Sequence, residues 1–307
     1  MPIAPNARRA LPVLLPLLLA TLLVACKREP EELAGARSEP AAAVRELVDH
    51  LRRDDVVGFA RAAVPPADYA ALETAWREDR SRWPLTELPL SRQLVPMLAA
   101  LSAPGSEQAL MRDFNRQFAR QDRDVRQAAR SLGLFGVQYL KKEGDYTPTQ
   151  RLHYTQVVQT FSEWAQDAPL ADPALARNTI NRMAAAARQA RLASEADLRE
   201  AGMDGSLRRL APVFIEIKAS FARYGLPLDT TLADLRTGLV EQKGDRATVR
   251  IHYPLGNREI DSQVSLERRD GRWYLSDYLR AGEAARSPPP GDPAPEATVP
   301  PPEPQGH

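Results

Sequence analysis

Four histidines, one cysteine and scattered acids and tyrosines are the groups that this 307-residue chain could bring to chemistry. His50, His153, His252 and His307 stand far apart, and no His-Glu-x-x-His spacing sets two imidazoles one helical turn apart to hold zinc. Each reads as a surface or half-buried residue, so no metal and no other cofactor is expected. Asp54 and Asp55 could form an acid-base pair, but their place between two helical stretches favours capping of a helix N-terminus. No serine lies in a Gly-x-Ser-x-Gly elbow, and no Gly-x-x-x-x-Gly-Lys loop is present to cradle phosphates. Gly133 and Gly136 are too few for a dinucleotide fingerprint and read as ending or bending a helix around Leu134 and Phe135. The commonest enzyme classes are thereby disfavoured, and the chain is expected not to be an enzyme.

The elements that would position any site are legible from periodicity and punctuation. Val44, Leu47, Val48 and Leu51 predict a helix over Ala41 to Arg53. Asp54 or Asp55 then caps a short helix through Val57, Phe59 and Ala60. Pro65-Pro66 restarts the chain into Tyr69, Leu72 and Trp76, and Trp83-Pro84 and Pro89 break it again. Leu94, Met97, Leu98 and Leu101 predict a helix ending at Pro104-Gly105. From Ser106, a candidate cap, to about Leu132, the residues Leu110, Phe114, Phe118, Val125, Ala128 and Leu132 fall near one stripe and predict a single long helix. Its other faces carry Arg112, Arg116, Arg120, Arg123, Arg126 and Arg130 interleaved with acids, a solvated face with a headgroup-binding alternative.

Thr147-Pro148 and Asp172-Pro173 are cap-then-proline starts of two further helices, the first with Tyr154, Val157, Val158, Phe161 and Trp164 on one face. Ser194 with Asp197 resembles a capping box closed by Gly202, and a last helix through Val213, Phe214, Ile217 and Phe221 stops at Gly225. From about Leu235 the period changes to two. Ala247, Val249, Ile251 and Tyr253 alternate with polar residues, as do Ile260, Ser262, Val264 and Leu266, and Lys243-Gly244-Asp245, Leu255-Gly256-Asn257 and Asp270-Gly271 mark turns. The expected fold class is α+β, with a mainly helical N-terminal two-thirds followed by a small four-stranded antiparallel meander.

The N-terminus carries Arg8 and Arg9, then an apolar stretch from Leu11 to Val24 interrupted by Pro12 and Pro16. That order is the charged and hydrophobic part of a secretory signal. Its length of about 14 residues falls short of the roughly 20 that a helix needs to span a bilayer. The closing Leu23-Val24-Ala25-Cys26 resembles the lipobox of bacterial lipoproteins and contains the sole cysteine of the chain. The resemblance implies cleavage before Cys26, lipidation of that cysteine with diacylglycerol and an amide-linked chain such as palmitate, and membrane attachment. More than one acyl chain is what stable anchoring requires. Lys27, rather than an aspartate, follows the cysteine, which for this family implies the cell outer membrane, with the protein facing the periplasm.

Residues 1–25 thus read as a lipoprotein signal peptide and 26–40 as a lipidated tether reaching only about 20 Å. Residues 41–226 are a helical region, 227–281 an antiparallel β-meander packed on helices, and 282–307 a disordered Pro-rich tail, in which prolines such as Pro288, Pro289 and Pro290 favour extended polyproline. Loss of residues 1–25 removes Arg8 and Arg9 and moves the formal charge from +1 to −1, which gives no reason to expect nucleic acid as a partner.

Asp270-Gly271-Arg272-Trp273-Tyr274-Leu275-Ser276-Asp277 is similar to the closing strand of the nuclear-transport-factor-like, half-cone superfamily, in which a helix pair precedes a curved antiparallel sheet. That resemblance implies a small-ligand pocket, for which Trp273, Tyr253 and Ile251 are the candidate lining. Enzymatic members use a buried aspartate base, but the spacing of Asp261, Asp277, Tyr253, Tyr274 and Tyr278 matches no such pattern, and no catalytic residue is assigned. The expected function is therefore a membrane-anchored envelope lipoprotein that binds or scaffolds without catalysis. Its partners are the membrane, through Cys26, and an envelope protein or peptidoglycan. Small-ligand binding in a half-cone and contact with peptidoglycan or headgroups are the alternatives.

Overall fold

Local signals set most of the helix starts. In the computed structural model, which describes residue 33 and residues 38–143 and 146–287, helix α1 spans Glu39–Arg52 and buries Pro40, Ala41, Val44 and Leu47 on one face. Asp55, not Asp54, caps α2 (Val56–Ala63) by accepting the Gly58 N–H at 2.8 Å. Helix α3 (Pro66–Arg77) begins at the second of two prolines, and α4 spans Leu94–Ser102. Helix α7 (Pro148–Asp167) has a full capping box between Thr147 and Gln150, and α8 (Pro173–Ala190) is capped by the Asp172 carboxylate. Helix α9 (Glu195–Arg223) is kinked at Gly202, whose φ of 69° a residue with a Cβ rarely adopts. A short α10 (Leu228–Ala233) leads into the sheet.

The expected single helix from Ser106 is two. Helix α5 (Ser106–Gln117) ends at Phe118, and α6 starts at Asp122 and runs to Lys142. Between them Arg120 takes a φ of 61°, and its N–H donates to the Ala171 carbonyl at 3.0 Å. The bond to the loop before α8 offsets the cost of that left-handed residue. Ser106 is also not the cap. Gly105, with φ 73°, holds that place, and the Ser106 hydroxyl donates to the Leu101 carbonyl. The break divides the arginines: Arg112 and Arg116 belong to α5, and Arg123, Arg126 and Arg130 to α6.

Strands β1 (Arg236–Lys243), β2 (Arg246–Leu255), β3 (Arg258–Arg269) and β4 (Arg272–Leu275) form an antiparallel meander in the order β1-β2-β3-β4. Gly244, Gly256 and Gly271 occupy the turns with positive φ. The meander does not run to residue 281, because β4 is only four residues long and α11 (Ser276–Arg286) follows it directly. Leu279, Gly282 and Ala285 recur at helical spacing and are buried against α3, so residues 282–286, expected in the tail, belong to this helix. The Pro-rich stretch 288–307, the signal peptide and Cys26 lie outside the described residues.

Three apolar clusters result. The largest joins α2, α3, α4, α8 and α9 around Leu72, Trp76, Trp83, Leu98, Leu198, Met203 and Leu207. A second lies between α1 and the sheet, with Ala41, Val44, Ala247, Val249, Leu266 and Trp273. The third holds Leu226, Leu255 and Ile260, with Val157, Phe161 and Trp164 of α7 packed on them. Val158, expected on the same stripe of α7, lies instead beside Gly136 of α6, and Tyr154 is exposed.

Candidate functional site

Period-two alternation sends Ala247, Val249, Ile251, Tyr253 and Leu255 of β2 to one face of the sheet and Arg250 and His252 to the other. Trp273 and Ile251 meet in the cluster under α1, where Trp273 is 6% exposed and the Arg268 guanidinium lies 5.6 Å from its ring. Tyr253 belongs to the separate cluster beneath α7. The structure thus brings two of the three candidate pocket residues together and places the third elsewhere. Each packs within its cluster, and four clefts on the described surface, each of about 280–360 Å³, are lined by other side chains.

Tyr253 has a partner that the sequence does not disclose. Its hydroxyl lies 2.8 Å from His153 Nε2, although the two residues are 100 positions apart. Burial disfavours the charged form of each group: it lowers the His153 imidazole and pushes the Tyr253 phenol up to about 12. At neutral pH the pair is therefore a hydrogen bond between uncharged groups, which orients both rings without generating a nucleophile. The shift has a consequence for stability. The unfolded histidine takes up a proton near its ordinary value of 6.5, whereas the folded one resists, so more protons are bound in the unfolded state. The contribution is fully present above about pH 6.5 and is lost as pH falls below it. We expect His153→Gln to flatten the slope of unfolding free energy below about pH 6.5, measured by urea titration at each pH. An unchanged slope would refute the assignment.

On the opposite face, His252 Nδ1 lies 3.0 Å from Asp261 Oδ1, and its Nε2 lies 2.7 Å from Glu259 Oε2. Arg250 Nε donates to the same Asp261 oxygen at 2.7 Å. Partial burial pushes Asp261 up, but the bonds from His252 and Arg250 outweigh it and hold the carboxyl below its usual range. Because the two carboxylates bind opposite nitrogens of one ring, they cannot converge on a single ion. Among the described residues no group of three His, Cys, Asp or Glu side chains is arranged to hold a metal.

A cleft of about 280 Å³ runs from this cluster to the first turn of α7, lined by Pro148, Thr149, Leu152, Arg250, Asp261, Ser262 and Gln263. Its backbone edge is already occupied: the Gln156 amide accepts from the Asp261 N–H at 3.2 Å and donates to its carbonyl at 3.4 Å. A helix side chain thus closes the part of β3 that β4 is too short to pair.

Elsewhere the buried charged groups are matched within the fold. Lys218, 4% exposed, lies 2.6 Å from Asp54 and 2.5 Å from Asp229, and the buried Glu216 receives Arg182 and Arg223. Apolar surface is where the fold leaves side chains uncovered. Helix α6 packs on α7 through Gly133 and Gly136, which neither end nor bend it. A Cβ on Gly133 would stand 2.2 Å from Ser162 Oγ, so these glycines admit the neighbouring helix. With that seam on one side, Leu132, Phe135 and Tyr139 of α6 are 68%, 68% and 49% exposed, and Leu134 is exposed beside them. Among the described residues no helix is long and apolar enough to cross a membrane.

Against this geometry, no family model, no curated protein and no solved structure matches the chain.

Proposed function

We propose that this chain is a bacterial envelope lipoprotein, anchored by lipid on Cys26, whose body binds or scaffolds a partner without catalysing a reaction. The observation that carries the reading is the lipobox Leu23-Val24-Ala25-Cys26, which places the sole cysteine directly after an apolar signal. Support for a binding role comes from the body. Its histidines His153 and His252 and its buried ions Lys218 and Glu216 are all engaged by partners within the fold, while α6 leaves large apolar side chains uncovered. Exposed apolar patches on monomers commonly mark interaction sites.

The test is the fate of Cys26→Ala. In cells fed a labelled fatty acid, the parent chain should incorporate label and sediment with the outer membrane, and the variant should do neither, because the diacylglycerol and the amide-linked chain on Cys26 together supply the binding free energy. Equal labelling of the two would sink the proposal. Purified chain that turned over an envelope substrate at enzymatic rates would overturn its non-catalytic part.

A further inference from the structure

The uncovered face of α6 has a repeat of its own. Val125, Ala128, Leu132, Phe135 and Tyr139 are spaced three, four, three and four residues apart, the a and d positions of two heptads. Ala129, Gly133, Gly136 and Leu140 lie on the neighbouring face. Gly133 and Gly136 take the side chains of α7 there, and the Ala129 carbonyl accepts from Ser162. The a and d row is therefore additional to the intrachain seam, and Leu132, Phe135 and Tyr139 stand out in solvent.

The order of residues along the row is asymmetric in size and in charge. Small Val125 and Ala128 lie before Leu132, and the aromatic Phe135 and Tyr139 lie after it. Asp122 and Asp124 form the acidic first turn, and Lys141 and Lys142 the basic last turn. Among the described residues no ion pair in the same chain engages any of these four charges.

We propose that α6 pairs antiparallel with α6 of a second copy of this chain, about a twofold axis at Leu132. In that arrangement Leu132 meets its own copy, Val125 faces Tyr139 and Ala128 faces Phe135, so large side chains fill the space left by small ones. The acidic turn of each helix lies beside the lysines of the other, and the helix dipoles oppose. Parallel pairing would set aromatic on aromatic, acid on acid and lysine on lysine, which disfavours it. A closed, self-complementary interface of this kind is the commonest symmetry of homo-oligomers, and the two α6–α7 hairpins would make a four-helix bundle. The inference goes beyond the proposed function and does not depend on lipidation.

The full chain, purified in detergent, should have the mass of a dimer by light scattering at about 50 µM. Leu132→Glu with Phe135→Glu should give a monomer whose circular dichroism and melting are unchanged, since both positions are exposed. Asp122→Lys with Asp124→Lys should weaken association about tenfold, and adding Lys141→Asp with Lys142→Asp should restore it. Oxidation of Leu132→Cys should yield a covalent dimer, whereas Arg130→Cys, away from the row, should not. Cross-linking is read as the gain over the unsubstituted chain, so a free Cys26 cannot imitate it. A monomeric mass with no gain at Leu132→Cys overturns the proposal. So does a monomer that binds vesicles of phosphatidylethanolamine and phosphatidylglycerol through Leu132 and Phe135, because lipid would then be what covers this face.

Discussion

Replacing Trp76 by alanine is expected to lower the unfolding free energy by about 4 kcal/mol, the middle of the range for removing a large aromatic from a packed core. Trp76 is 0% exposed and sits in the largest cluster, between the helices before Pro104 and the pair α8 and α9. Its indole N–H donates to the Leu198 carbonyl at 2.9 Å, in the turn that precedes the kink at Gly202, and the Arg82 guanidinium lies 5.2 Å from the ring. Ser206 Oγ donates to the same carbonyl at 3.1 Å, so loss of the indole does not leave that acceptor bare. Trp76→Phe should therefore cost only about 1–2 kcal/mol, mostly for one hydrogen bond and some lost volume. Urea unfolding decides this: both midpoints should fall with an unchanged slope on denaturant. A loss below about 2 kcal/mol for Trp76→Ala would mean that this cluster does not hold the helical region together.

Gly282→Val is expected to be nearly as damaging, at about 3 kcal/mol, through overpacking rather than a cavity. A Cβ on Gly282 would stand 2.6 Å from Asp68 Cβ and 2.7 Å from its Cγ, distances that real Cβ atoms essentially never show. Asp68 cannot swing aside cheaply. It is 2% exposed, lies in the first turn of α3, and holds Arg286 at 3.0 Å. The strain would be relieved by lifting α11 off α3, exposing Leu279 and Ala285. Limited proteolysis should then cut within Ser276–Arg286 well before the rest of the chain. The control is a double-mutant cycle. Asp68→Gly should recover part of the loss caused by Gly282→Ala, because it removes the atoms that the new methyl meets. Strict additivity would disprove the contact.

These two sites differ in how visible they are in the sequence. Trp76 stands at helical spacing from Tyr69 and Leu72, and its burial follows from that pattern. Nothing around Gly282 shows that the chain turns into a helix there, because the strand pattern through Trp273 ends only at Leu275 and the helix begins at the next residue. The caps at Asp55, Thr147 and Asp172 were legible for a physical reason. A capping side chain bonds backbone N–H groups two or three residues away, so cause and effect share one short stretch of sequence. The glycine turns of the meander are legible in the same way.

The break at Phe118–Gln121 was not legible, since no proline or glycine marks it and the bond that stabilises Arg120 comes from Ala171. Gly133 and Gly136 invited the opposite reading, because a glycine in a helix weakens it locally and only the position of Ser162 and Val158 shows what the missing Cβ makes room for. Of the candidate site, Trp273 and Ile251 were legible as inward-facing strand residues. The separation of Tyr253 from them, and its bond to His153, depend on where α7 crosses the sheet.

By itself, then, the sequence determined the α+β order, the four strands and most helix starts, because each rests on contacts within a few residues. Only the tertiary structure decided which apolar stripes are used up. Helix α6 carries two of them, one of large side chains and one of small. Packing on α7 through Gly133 and Gly136 covers one and leaves Leu132, Phe135 and Tyr139 in water. Burial depends on what lies opposite a side chain, and no residue carries that information alone.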